Sequence, residues 1–188
     1  MGFSPVTLAD AAASDGKMPL VSEDYEYDVL IPWGTPIRSD LGITPFEGDP
    51  NARPSSSDQE KMIGVGHDGM WLFPSNLPAV LRYEARKGRE LPAKARRRIL
   101  SNRSGMLCIN HEFGTNGHVL GKGTPGSLED VRRSQAAHGV SVVKIACDWR
   151  GNWALRDSYK NRRIHVNTPV EFSGPAAQSE CLVNAAGN

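Results

Sequence analysis

No stretch of this chain approaches the roughly 18 consecutive apolar residues that a membrane-spanning helix needs, so no transmembrane span is expected. Cysteine is scarce. Cys108, Cys147 and Cys181 are odd in number and lack C-x-x-C spacing, which fits neither a zinc ribbon nor a complete disulfide framework. Net charge is nearly absent at +1, so no global field draws nucleic acid or acidic lipid, and no nucleic-acid partner is expected. The phosphate-cradling P-loop and the G-x-S-x-G nucleophile elbow are both missing. His118 and His138 lack the H-x-x-x-H or H-E-x-x-H spacing that sets two ligands on one helix face, and are read as structural or exposed. Residues 1–17 show no charged region followed by an apolar stretch, so no signal peptide is read there. Residues 1–24 are small and polar, the composition of a flexible leader.

What is present suits one soluble domain: 188 residues, 39% of them hydrophobic. The 19 glycines and 13 prolines favour short strands and many turns. The run YEYDVLI (25–31) carries a strand signal, and residues 45–57, rich in Pro and Ser, read as a surface loop. MIGV (62–65) and MWLFP (70–74) flank His67-Asp68-Gly69, which suggests two extended segments around a tight turn. From Arg82 to Arg103 there are nine Lys or Arg and two Glu, with Leu91, Ala95 and Ile99 at helical spacing. That segment reads either as an anion or membrane-surface patch, or as a solvated helical hairpin interrupted at Gly88 and Pro92. An apolar strand at 106–110 runs into His111-Glu112, followed by a glycine-rich loop over 114–126. Ser127, with Asp130 three residues later, predicts a capped helix over 128–137 that stops near Gly139. Residues 140–147 and 153–157 predict a hairpin around Arg150-Gly151-Asn152. The sum is a mainly β fold in meander order with one or two short helices.

Asn110, His111 and Glu112 stand where a strand gives way to a glycine-rich loop, a place that can hold polar side chains rigidly in a cleft. Glu112 offers a hard oxygen for a multivalent cation, Asn110 a carbonyl ligand or an amide donor. The alternative is a local turn network. Asp68 is an oxygen ligand in the same sense, or part of an Asp-Gly turn. Arg162 and Arg163 follow Asn161 in a polar segment. Their guanidinium forks match phosphate oxygens, or else they are solvated loop charges. Ser173-Gly174-Pro175 reads as a turn.

In order, the chain shows GFSPV, YEYDVLIPWGTPI, VGHDGMWLFP, GMLCINHEFGTNGHVLG, SLEDVRRSQAAHGVSVVKI and NRRIHVNTPVEFSGPAA. In content, order and spacing this resembles the PhoX family of secreted alkaline phosphatases, from about Gly2 to Ala177. The resemblance implies a β-propeller, of which one or two blades with an N-terminal extension would lie here. It implies a central site with iron and calcium ions that hydrolyses small phosphate monoesters, in proteins exported to the periplasm or beyond by the twin-arginine route. By match to the NHE motif Glu112 becomes a metal ligand, Asn110 a metal or phosphate ligand beside it, and His111 an orienting residue. Asp68 is a further metal candidate through the HDGM segment. Arg162, Arg163 and Asn110 are the expected substrate contacts. The family's N-N-C-A-x-G-x-T-P-W-G-T-x-L-T-x-E-E-N segment, with the cysteine expected to ligate iron, is not in this sequence, and neither is a twin-arginine leader. The segment from about Pro78 to Arg103 is longer than the resemblance leads one to expect. The expectation is therefore an N-terminal piece, residues 25–188, of a PhoX-like phosphatase domain. The alternatives are a non-enzymatic binding module and an inert gene fragment.

Overall fold

The computed structural model describes residues 7, 19–100, 103–175, 177, 179 and 181. They divide into two compact units, residues 1–30 and 31–188. Most of the expected leader over 1–24 lies outside the described residues. In the first unit, the strand expected over 25–31 does not form: residues 25–30 are irregular, and Tyr25, Tyr27, Val29 and Leu30 are all exposed. A strand needs a ladder partner for its backbone groups, and no described strand pairs with this segment.

The second unit is built on one antiparallel sheet. Its strands are β1 (His67–Pro74), β2 (Ser104–His111), β3 (Gly139–Cys147), β4 (Trp153–Leu155) and β5 (Arg162–Ile164), in the order β1-β2-β3-β4 with β5 also on β3. The expected hairpin is present: Ile145 faces Leu155 and Cys147 faces Trp153. The Asp148 carboxylate closes its turn by accepting from the backbone N–H groups of Arg150 at 2.8 Å and Asn152 at 3.0 Å. β4 and β5 share one edge of β3, against 145–147 and 140–142 respectively. Between them the chain leaves the edge, and the buried Asn161 side chain fills the gap. Its Oδ1 accepts from Lys144 N–H at 2.7 Å, while its Nδ2 donates to the carbonyls of Ile37 at 2.7 Å and Arg156 at 2.9 Å.

The turn expected at His67-Asp68-Gly69 is instead the opening of β1. The chain bends one residue earlier, at Gly66 with φ 61°, and residues 62–65 do not pair with 70–74. Met62 bridges Pro36, and Val65 N–H donates to the Ala137 carbonyl at 2.9 Å.

Helices are more numerous than expected: α1 (Ser56–Gln59), α2 (Leu77–Lys87), α3 (Ala93–Ile99), α4 (Asn116–Leu120) and α5 (Leu128–Ala137). Ser55, Thr115 and Ser127 each cap a helix by accepting a backbone N–H. α5 has the predicted bounds. In the basic segment, Gly88 ends α2 in the left-handed conformation and Pro92 opens α3. The two residues that seemed to interrupt one helix therefore separate two short helices.

Alternation along the strands gives the sheet two faces. Ile109, Val143 and Ile145 point to one side and join Ile31, Ile37 and Ile63 in the main core. Trp71, Cys108, Val142 and Arg162 form one cross-strand row on the other face, and Phe73, Met106 and Lys144 form the next.

Replacing Asn161 with Ala strands one buried N–H and two carbonyls, so unfolding in urea should show a loss of about 2–4 kcal/mol. Asn161→Asp keeps the acceptor for Lys144 and sets a carboxylate against two carbonyls, and should lose a similar amount. A loss under about 0.5 kcal/mol in both would mean that water replaces the side chain at no cost.

Candidate active site at one end of the sheet

The start of β1, the end of β2, the start of β3 and the end of β5 meet at one end of the sheet. His67 lies opposite His111, which lies opposite Gly139. Asn110 lies opposite Val140, which lies opposite Ile164. Between the paired positions His67–His111 and Met70–Ile109, two residues of β1, Asp68 and Gly69, oppose the single Asn110. This is a β-bulge, the local device that re-aims side chains at the rim of a sheet. It brings Asp68 beside Asn110.

The Asn110 Nδ2 donates to Glu112 Oε2 at 3.2 Å, which orients that carboxylate, and the Glu112 backbone N–H donates to the Gly66 carbonyl at 3.1 Å. Gly66 has to be glycine here. Its φ is positive, and a Cβ would fall 1.7 Å from the Phe113 carbonyl oxygen. Asp68 and Glu112 are exposed and Asn110 is half-buried.

Period-two alternation separates the other candidates. Arg162 is exposed on the same face as Asn110, one row away, and its Nη1 donates to the Lys160 carbonyl at 3.1 Å. Arg163, expected to hold substrate, turns inward and is 7% exposed. Its Nη1 donates to Ser141 Oγ at 3.1 Å, and its Nη2 to the carbonyls of Ala136 at 2.7 Å and His138 at 2.8 Å. Both Nη groups are engaged by protein acceptors, and burial pushes the guanidinium down to about 10, still charged at neutral pH.

His111 also turns inward, 1% exposed. Its Nε2 lies 2.7 Å from Ser141 Oγ and 3.4 Å from the Gly64 N–H, which can only donate. Nε2 is therefore the acceptor and Nδ1 carries the proton. The hydrogen bonds run in one direction, from Arg163 to Ser141 to His111. Burial, and then the nearby Arg163 charge, push His111 down to about 3. The ring of His67 meets it edge-on at 5.0 Å between centroids. Ser141 and Gly66 are the members of this arrangement that sequence reasoning missed. A hydroxyl on the core-facing side of the apolar run VSVV was the available signal for Ser141. His138, half-buried, places its ring between the carbonyls of Ser134 and Gly114, a structural role as expected. His118 is exposed beside the cap of α4. The three cysteines are free.

The donors at this end suit a hard cation: two exposed carboxylates and one half-buried amide carbonyl, all oxygen. Among the described residues no three His, Cys, Asp or Glu side chains gather closely enough to hold a metal ion by themselves. A Ca²⁺ ion takes about six to eight oxygens, more than Asp68, Asn110 and Glu112 offer by themselves.

Two measurements check the buried network. In ¹H–¹⁵N spectra, His111 should show the Nδ1–H tautomer and stay unshifted from about pH 8 to pH 5, since its pKa lies near 3 against an ordinary 6.5. Because the folded value lies below the unfolded one, the stabilisation is complete above about pH 6.5. It is lost as pH falls below that, by at most about 1.4 kcal/mol per pH unit from this group. A His111 signal that titrates near its ordinary value would remove the neutral imidazole from the network.

The family model described as "Alkaline phosphatase PhoX" matches residues 2–188. Among solved structures, the chain is similar to one described as "Pseudomonas fluorescens PhoX in complex with vanadate, a transition state analogue". The two are 31% identical with a TM-score of 0.65, over 88% of this chain and 24% of that one. The chain thus spans about a quarter of the length of that relative. No curated protein sequence matches it. The family match extends over nearly every residue and includes the sheet end that carries Asp68, Asn110 and Glu112: the chain belongs to the PhoX alkaline phosphatase family.

Proposed function

We propose that this chain is part of a metal-dependent phosphatase that hydrolyses small phosphate monoesters, and that it contributes Glu112, Asn110 and Asp68 to the metal and phosphate site. The observation that supports the reading is the placement of those three residues at one sheet end, with the Asn110 amide on the Glu112 carboxylate and Asp68 in the bulge opposite Asn110, in a chain of this family. The vanadate bound to the similar Pseudomonas fluorescens protein is described as a transition state analogue, which suits phosphoryl transfer. On this reading the sheet is one blade of a β-propeller. Four neighbouring positions in antiparallel meander order support that, and further blades would close the ring. The resemblance to secreted phosphatases favours a periplasmic or extracellular place of work for the whole protein.

The chemistry asks mostly for electrostatic stabilisation. Iron and calcium ions, the family's expected cofactors, would neutralise phosphoryl oxygens when bound. The residues of this chain prepare for that. Glu112 presents a carboxylate held by the Asn110 amide, and Asp68 adds a second one across the bulge. Arg162, exposed on the same face as Asn110, is placed to meet phosphate oxygens as a fork. Arg163 holds the framework from behind.

In a protein that contains this segment and the rest of the family's domain, Glu112→Gln keeps the shape and removes the charge a hard cation requires. Metal content and p-nitrophenyl phosphate hydrolysis should fall together, activity by about a hundredfold or more. Normal metal content with normal activity would take Glu112 out of the site.

A further inference from the structure

The α2–α3 hairpin takes no part in that site, and it concentrates charge that the rest of the chain lacks. Residues 82–103 hold nine of the 22 Lys and Arg but two of the 21 Asp and Glu. The remainder has 13 cations against 19 anions, so a net charge of +1 conceals a strongly basic segment on an acidic body. Of the two acids, Glu84 faces inward. Its Oε2 pairs with Arg96 at 3.4 Å, and its Oε1 accepts from Leu91 N–H at 2.9 Å. On α2, Arg82 and Arg86 lie one turn apart on the flank opposite Val80 and Glu84, and both are exposed. On α3, Lys94, Arg97 and Arg98 are exposed on the flank away from Arg96. None of these five joins an ion pair among the described residues.

The same hairpin leaves apolar side chains uncovered. Leu81, Tyr83 and Ile99 are between 42% and 49% exposed. Tyr83 and Ile99 line a crease between the two helices of about 320 Å³, with Val80 and Leu91 at its floor. Cations alone would suit any polyanion. Cations beside uncovered apolar side chains suit a surface that offers anionic headgroups over an apolar interior. The placement fits as well. The hairpin joins the end of β1 to the start of β2, where Pro74 pairs with Gly105, the opposite end of the sheet from His67 and His111.

We propose that the α2–α3 hairpin is a docking surface for an anionic lipid bilayer, with the candidate active site held at the far end of the sheet. The surface works whether or not the phosphatase reading holds. The test is co-sedimentation of the whole chain with vesicles of phosphatidylglycerol and phosphatidylcholine, against vesicles of phosphatidylcholine alone. The chain should bind the anionic vesicles, and binding should be lost at about 0.5 M salt, where screening is nearly complete. Each cation near such a surface is worth about fivefold in partitioning, so the combined variant Arg82→Gln, Arg86→Gln, Arg97→Gln should bind about a hundredfold less. All three positions are exposed, and circular dichroism should confirm an unchanged fold. Tyr83→Ser with Ile99→Ser should weaken binding while leaving its salt dependence as it was. Equal binding to neutral vesicles, no binding to anionic ones, or an unaffected arginine variant would each overturn the proposal. Binding to a DNA duplex as tight as to the anionic vesicles, with no effect of the apolar variant, would identify a general polyanion surface and overturn it too.

Discussion

A guanidinium sealed inside a protein must find acceptors for its N–H donors, and the two Nη groups of Arg163 find them where α5 turns into β3, while Nε is buried without a hydrogen-bond partner among the described residues. Its Nη groups reach the carbonyls of Ala136 and His138, at the end of the helix, and the hydroxyl of Ser141, in the strand. Those carbonyls would otherwise be left at a helix terminus without partners. One side chain from β5 therefore ties a helix end, a strand start and, through Ser141, the His111 ring of β2. Removing the charge would orphan several buried groups at once, whereas its own burial cost is offset in part by the acceptors around its Nη groups. This buried chain of bonds lies behind the end of the sheet that carries Asn110 and Glu112.

That end shows how a two-residue periodicity divides labour. In Asn110-His111-Glu112 the outer members, one half-buried and one exposed, lie away from the core and the middle one faces it. In Arg162-Arg163 the first is exposed and the second buried. Structural and chemical roles thus alternate along the same strands. The bulge at Asp68-Gly69 is the one departure from regular pairing in β1, and it occurs opposite Asn110. A regular ladder would place a single β1 residue there, so the extra residue is what lets Asp68 join Asn110 without disturbing the pairs from Met70 to Pro74.

What could be read directly from the sequence was local. Ser127, Asp130 and Gly139 bracket α5, and the turn chemistry of 148–152 located the β3–β4 hairpin, because each signal acts within a few residues. What could not be read was decided by distant partners. Residues 25–31 have strand composition, yet composition supplies no ladder. The His-Asp-Gly triplet reads as a turn until Asn110, some forty residues on, pairs with it. The two arginines look alike in a polar segment. Pairing with Ser141 and Val142 turns that segment into β5, and the pairing decides which arginine is buried. The donor types at the candidate site were visible, whereas their meeting at one sheet end depended on register.

The outer face of the sheet adds a constraint of its own. Trp71 is 70% exposed and Phe73 43%, and they stand in register with Cys108 and Met106 on the side away from the main core. Large apolar side chains grouped on one face mark a surface suited to being covered. In a propeller, the neighbouring blade provides the cover, and the same ring closure would bring ligands from other blades toward the end where Asp68, Asn110 and Glu112 project. On the blade reading proposed above, the exposed apolar side chains of this face and the small number of oxygen donors at the sheet end would share one explanation. The basic hairpin lies at the opposite end, away from the donors, so it can meet an anionic surface without crowding either requirement.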